Sequence, residues 1–180
     1  MKNIIELLKR RHSIRTYSSE PIPDYTIRTI LSAGLYAPSG RGIFPVEFIV
    51  VKDKSLLKKL SLCKAKSSKM LESADYAIIT IVNNFKSDMI IEDAAIAMII
   101  MHLTATDLDV GSCWVHCRNR FTKTGQETEE YIRQLVNIPL NYTVEAILSL
   151  GIPEKNNYVD FNKKIDFSKV HLNFFGQNYN

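Results

Sequence analysis

The segment Arg11-His12-Ser13-Ile14-Arg15, with Lys9 and Arg10 before it and Tyr17 after it, collects the side chains that hold an anion. Its two guanidinium groups are planar forks of donors that stay charged at any physiological pH, and the Ser13 hydroxyl adds a neutral donor at short range. A phosphate monoester needs such a set. Taken alone, a basic run after a helix is more often a solvated surface, so the pentamer gains meaning only from residues elsewhere that would serve the same ligand.

Such residues stand at Pro38-Ser39-Gly40 with Arg41 and Gly42, at Lys66 and Lys69, and at Asn162-Lys163-Lys164. A ligand with one phosphate and a planar, hydrogen-bonding ring would use them all. Arg11, Ser13, Arg15 and a tail lysine would take the phosphate, and Lys69 would reach a ring carbonyl that gains negative charge on reduction. The protein would then tune a cofactor that carries the hard chemistry.

Other chemistries find little support. There is no G-x-G-x-x-G, Walker loop, H-E-x-x-H or G-x-S-x-G. The four histidines (His12, His102, His116, His171) are scattered, and His102, within an apolar helix, reads as a core histidine hydrogen-bonded to backbone. Glu92 and Asp93 are adjacent, so on a helix they diverge by about 100° and cannot form a facing carboxylate pair. Cys63, Cys113 and Cys117 are odd in number and lack the paired spacing of a metal or redox site, which leaves reduced, structural thiols as the expectation.

With 180 residues, 46% hydrophobic and 23% charged, the chain fits one globular domain, residues 1–180. A net charge of +4 is too mild to point to nucleic acid, and no aromatics interleave with the basic residues as a single-strand binder would require. The start carries Glu6 early and lacks a secretory leader, so a cytoplasmic location is expected. Met89 to Leu103, interrupted by Glu92 and Asp93, is too short to span a bilayer.

The elements that must position these residues follow from periodicity. Ile4, Ile5, Leu7 and Leu8 mark a short helix running into the basic segment, and Pro21-Ile22-Pro23-Asp24 opens a second that stops at Ala37-Pro38-Ser39-Gly40, where Gly40 permits unusual dihedrals. Strands are expected at 47–51, 76–82, 112–116 and 142–150, and helices at 54–63, 67–73, 88–109 and 128–136. The helix at 88–109 is apolar on nearly every side, so it should be buried all round, with Gly111 as its left-handed terminator. Beyond Glu154 the tail is polar with spaced aromatics (Tyr158, Phe161, Phe167, Phe174, Phe175) and should pack on another surface, a second copy of the chain. Several helices arrive in succession between strands, so the class is α+β, with helices about a mixed sheet.

Arg11-His12-Ser13-Ile14-Arg15-x-Tyr17, then Ala37-Pro38-Ser39-Gly40 and Pro45-x-x-Phe48-Ile49-Val50-Val51, resemble the N-terminal signature of the nitroreductase family of FMN flavoproteins. Glu92-Asp93-Ala94-Ala95 through Gly111-Ser112-Cys113-Trp114-Val115 is similar to that family's central helix and following turn. Ala146 to Pro153 resembles its last strand, and Lys164-Ile165-Asp166-Phe167 its C-terminal basic element. The resemblance runs in order along nearly the whole chain.

It implies an intertwined homodimer with two FMN sites at the subunit interface. Arg11, Ser13, Arg15 and Lys164 would bind the phosphate and ribityl end, with His12 contributing backbone contacts. Pro38, Ser39 and Gly40, with Gly42 beside them, would come from the partner subunit over the ring. Lys69 would reach the pyrimidine, and Trp114, Val115 and His116 would line the ring, one of their N–H groups near flavin N5. The chain departs from the family pattern at Gly42 and Phe44, where an Asn and a Gln are common. The implied activity is ping-pong hydride transfer from NADH or NADPH through flavin N5 to a nitroaromatic, quinone or other planar acceptor, with no protein side chain as acid or base and no metal. The alternative is a protein that stores or senses flavin without turnover.

Overall fold

The computed structural model describes residues 3–154 and 165–179. Lys164, together with Tyr158, Phe161, Asn162 and Lys163, lies outside them. The chain runs α1 (Ile4–Arg10), α2 (Asp24–Leu35), β1 (Val46–Val51), α3 (Lys54–Leu60), β2 (Tyr76–Asn83), α4 (Ile90–Asp107), β3 (Gly111–His116), α5 (Thr128–Val136) and β4 (Tyr142–Gly151), with 3-10 turns at Gly40–Gly42, Lys69–Glu72 and Phe167–Lys169. No helix among the described residues is long and apolar enough to cross a membrane.

The strands form one sheet in the order β1-β2-β4-β3. The α+β class is as expected, but the sheet, expected to be mixed, is antiparallel at every pairing of the described residues. The reason is topological. With α4 crossing between them, β2 and β3 run in the same direction, yet β4 inserts between the two and makes both contacts antiparallel.

Side chains alternate across this sheet and feed two cores. Ala77, Ile79 and Ile81 of β2 meet Leu57 and Leu60 of α3 and Ile132 of α5 on one face, while Tyr76 and Ile78 meet Ile27 and Ile30 of α2 and Met98 and Met101 of α4 on the other. Along β4 the alternation breaks: Val144 and Ile147, three apart, share a face. The pairing skips Glu145, since Thr80 opposes Ala146 and Ile81 opposes Val144. Glu145 is thus the extra residue of a β-bulge, which re-aims its side chain.

Four expectations change in detail, the first being the helix at 67–73, which is a 3-10 turn at Lys69–Glu72. The helix from Lys54, expected to reach Cys63, ends at Leu60 because Leu62 and Cys63 tighten into 3-10-type bonds to Lys59 and Leu60, and the buried Cys63 presents its carbonyl to Thr128 Oγ1 at 2.6 Å. The left-handed residue after α4 is Asp109 (φ 57°), not Gly111, which instead opens β3 at a site where a Cβ would stand 2.9 Å from Ile14 Cγ2. Nor is α4 buried all round. Its Ala94-Ala97-Met98-Met101 face is sealed, whereas Ile91, Ile96 and Ile99 are 36–40% exposed. All described residues from 165 to 179 are exposed too, with Phe175 at 93%.

Candidate functional site

The basic segment is held by its apolar members. After α1 the chain straightens at Arg11 (φ −67°, ψ 120°), and the Ile14 N–H donates to the Ser112 carbonyl at 2.9 Å. Tyr17 bridges to Pro153, and its buried hydroxyl donates to the Ile14 carbonyl at 2.9 Å and lies 2.7 Å from Ser149 Oγ. Burial pushes the Tyr17 phenol far up, so it stays a neutral anchor. Ile14 and Tyr17 thereby fix the segment along the outer edge of β3, with Arg11, Ser13 and Arg15 set around these anchors.

Those residues divide over two sides of β3. Nη1 of Arg11 lies 3.3 Å from Nε2 of His102 on α4. Burial, with the Arg11 charge adding to it, lowers His102 to about 4, and its Nδ1 is 2.6 Å from Ser112 Oγ. His102 is a core histidine, as expected, and its ring meets the side chains of Arg11 and Ser112. Ser13 and Arg15 lie near Cys113, whose thiol is raised by burial and opposed by both of them. Arg15 and Lys69 line one open cleft of about 440 Å³ together with Ser67, Met70, Glu72 and Ser73. Lys69 pairs with Glu72. His12 belongs to a neighbouring recess with Arg10, Asp109 and Gly111, its Nδ1 2.9 Å from the Arg10 carbonyl. Among the described residues neither Arg11 nor Arg15 forms an ion pair. Positive charge is therefore kept available.

Between these flanks β3 offers an open edge. Among the described residues its only sheet neighbour is β4. In an antiparallel strand the N–H and C=O of one residue point the same way and alternate along the chain. Ser112 turns its carbonyl outward to Ile14, whereas Cys117 sends its N–H inward to Glu145 at 3.0 Å. The outward set is therefore 112, 114 and 116, so Trp114 and His116 present backbone donors at the edge. Val115 does not: its N–H turns toward β4 and its side chain is fully buried in the first core. Trp114 packs against the second core, and His116, half-buried, sets Nδ1 3.5 Å from the bulge carboxylate of Glu145. Arg118 Nε reaches the same carboxylate at 3.0 Å. Burial holds Glu145 above the ordinary carboxylate range, with Arg118 opposing it, and burial lowers His116.

The Pro38–Gly42 turn is built elsewhere. Gly34 lets α2 lie on α4, where a Cβ would meet Met101 Cγ at 2.8 Å, and α2 then ends so that Pro38 and Ser39 line a small recess with Phe44 and Ala97. Asp93, 2% exposed, accepts from the Gly40 N–H at 2.7 Å and from Ser87 Oγ at 3.1 Å. Ser39 Oγ accepts from the Phe44 N–H at 2.7 Å. Gly40 itself has no left-handed dihedral. A Cβ there would meet Met89 Sδ, the end of a flexible and partly exposed side chain that would have to shift, and the positive φ values fall on Arg41, Gly42 and Phe44. The recess that Pro38 and Ser39 line includes none of Arg11, Arg15 and Lys69.

The sequence reading missed Asp93, Ser112 and Glu145. An acid in the first turn of an otherwise apolar helix is the signal that could have flagged Asp93. Nothing in the local pattern announces the bulge.

Comparison with known proteins fits this architecture. The nitroreductase family model matches residues 8–74. A protein of Archaeoglobus fulgidus described as a candidate NADH dehydrogenase/NAD(P)H nitroreductase is 31% identical over 95% of this chain and 98% of its own. Among solved structures, an FMN-dependent nitroreductase of Clostridium difficile R20291 is 40% identical over 95% of this chain and 99% of that one, with a TM-score of 0.90. A nitroreductase with bound FMN from Bacteroides fragilis shares the fold at a TM-score of 0.74 and 24% identity, over 96% of this chain and 99% of that one. Two cations held without counter-ions beside an open strand edge, on a chain alike from end to end to these proteins, place it: the chain belongs to the nitroreductase family.

Proposed function

We propose that the chain is an FMN-dependent oxidoreductase that draws electrons from NADH or NADPH and acts as a homodimer. The observation that carries this reading is the open edge of β3 at Trp114 and His116, flanked by Arg11 on one side and by the Arg15–Lys69 cleft on the other. FMN fits this donor set: its phosphate calls for guanidinium and hydroxyl donors, and its ring calls for donors and positive charge along one edge. When bound, FMN supplies two-electron transfer between the nicotinamide and a nitroaromatic, quinone or similar planar acceptor.

The chain's own residues bind and orient. Arg11 and Ser13, with Lys164 from the tail, hold the phosphate end, and His12 lends backbone contacts. Arg15 shares a cleft with Lys69, which supports moving it from the phosphate to the ring, where two cations would stabilise negative charge that develops on reduction. Trp114 and His116 offer outward N–H donors, whereas buried Val115 supports no contact of its own. Pro38, Ser39, Gly40 and Gly42 stand apart within one chain, in keeping with a role over the ring of the partner's site.

Homodimerisation draws support from the exposed Ile91-Ile96-Ile99 flank of α4 and from the exposed aromatics of the tail. The test is optical. Purified protein should be yellow and should bleach anaerobically with NADH or NADPH. Yellow protein that no nicotinamide reduces would favour storage, and colourless protein that FMN cannot reconstitute would overturn both readings. Arg11→Ala combined with Arg15→Ala should abolish flavin retention on gel filtration.

A further inference from the structure

His102 and Ser112 are buried polar side chains that the reading above leaves without a task. They are 2% and 1% exposed, on α4 and β3, in contact with each other, and His102 in turn meets Arg11 of the site. A guanidinium can only donate, so the contact from Arg11 Nη1 at 3.3 Å makes His102 Nε2 an acceptor. The ring proton then sits on Nδ1 and donates to Ser112 Oγ at 2.6 Å. Two side chains thus fix a tautomer, and the tautomer presents a lone pair to Arg11.

We propose that His102 and Ser112 are a positioning pair for the phosphate cradle: Ser112 fixes the imidazole, and His102 Nε2 aims the Arg11 guanidinium without neutralising it. A carboxylate in the same place would also orient Arg11, but it would cancel the charge that an anion must meet. An imidazole orients and leaves that charge intact. Burial and the nearby Arg11 and His12 all disfavour the imidazolium, so the ring remains an acceptor at neutral pH. The Ser112 carbonyl meanwhile holds the Ile14 N–H at 2.9 Å, so one residue sets both the backbone of the segment and the direction of its first arginine.

This inference rests on the FMN reading, and the experiment separates the two. FMN and riboflavin, which differ by the phosphate, are titrated into the flavin-free full chain and followed by flavin fluorescence. The ratio of their dissociation constants reports the phosphate interaction alone. Arg11→Ala should collapse the ratio. His102→Leu should lower it about tenfold, the size of one misdirected hydrogen bond to a charged group, with riboflavin affinity unchanged. Ser112→Ala should move it the same way, and His102→Gln, which returns an acceptor oxygen, should restore most of it. A histidine that only fills space would weaken both ligands together and leave the ratio alone, an outcome that overturns the proposal. Should His102→Leu fail to fold by circular dichroism, Ser112→Ala and His102→Gln decide by the same ratio. If wild-type protein does not discriminate, or Arg11→Ala leaves the ratio intact, the FMN cradle itself falls and the pair with it.

Discussion

At the scale of single residues, burial decides which groups keep their charge. Arg11 and Arg15 carry theirs against uncharged neighbours, whereas His102 is kept uncharged beside Arg11. That arrangement has a pH signature. His102 binds its proton near pH 6.5 in the unfolded chain and only near 4 in the folded one, because burial, then Arg11, opposes the charge. Between those values the unfolded state holds more protons, so stability rises with pH there. The His102 contribution should be complete above about pH 6.5, fall by about 3 kcal/mol as pH drops through 4, and change no further below it. Urea midpoints of wild type and His102→Leu at pH 7, 5 and 4 should converge toward acid, and parallel curves would show that the ring is not held neutral. Asp93 is the other residue-level prediction. Asp93→Ala leaves the Gly40 N–H and the Ser87 hydroxyl without their partner, which should cost about 1–3 kcal/mol in a denaturation midpoint. The cations of the cradle could be read from the sequence because their chemistry is in their side chains. His102 could be placed in the core, but its partners come from a segment 91 residues earlier and a strand 10 residues later, a meeting that no local pattern encodes.

At the scale of elements, what was legible follows how local each cause is. α5 begins at Thr128 and ends at Val136 as its amphipathic period requires, and β2 and β4 are apolar on both faces at most positions, with Thr80, Thr143, Glu145 and Ser149 among the exceptions, because helices cover both sides of the sheet. The end of α3 was overestimated because Cys63 is drawn into the core by Thr128, 65 residues away. The β4 bulge was invisible for the same reason: only pairing with β2 reveals Glu145 as an extra residue. Close approach of elements gives a further test. A Cβ on Gly151 would stand 2.5 Å from Tyr17 Cγ, and Tyr17 cannot yield, since its hydroxyl is held at both Ile14 and Ser149. Gly151→Ala should therefore cost about 1–3 kcal/mol through overpacking, lowering Tm by about 2–4 °C per kcal/mol for a chain of this size. Because Tyr17 anchors the segment that carries Arg11 and Arg15, flavin retention should fall with it. An unchanged Tm would mean that the segment is not pinned at this point.

At the scale of the whole molecule, a helix with a mean character suited to full burial is sealed along one face only. Ile96 and Ile99 remain 36% and 37% exposed on α4, Leu35 and Tyr36 stand out at the end of α2, and every described tail residue from 165 to 179 is exposed. Apolar side chains gain about 25 cal/mol for each Å² removed from water, so such a flank is stabilised by a second copy far more than by solvent. The sequence shows α4 to be apolar all round, and in the proposed homodimer the flank that one chain leaves exposed would be covered by the second. On the same proposal the Pro38–Gly42 turn, whose recess includes none of Arg11, Arg15 and Lys69, would cover the ring of the partner's site. Charge placed on the flank should then separate the copies and empty the site together. In Ile96→Glu combined with Ile99→Glu, each new carboxylate would face its symmetry mate's surroundings without a partner, a burial that costs several kcal/mol. Wild type should sediment at twice the 20.6 kDa chain mass and the double variant at the chain mass, with flavin lost in the same fractions. A monomeric variant that keeps its flavin would place the whole FMN site within one chain, and a wild type that sediments as a monomer would remove the partner altogether.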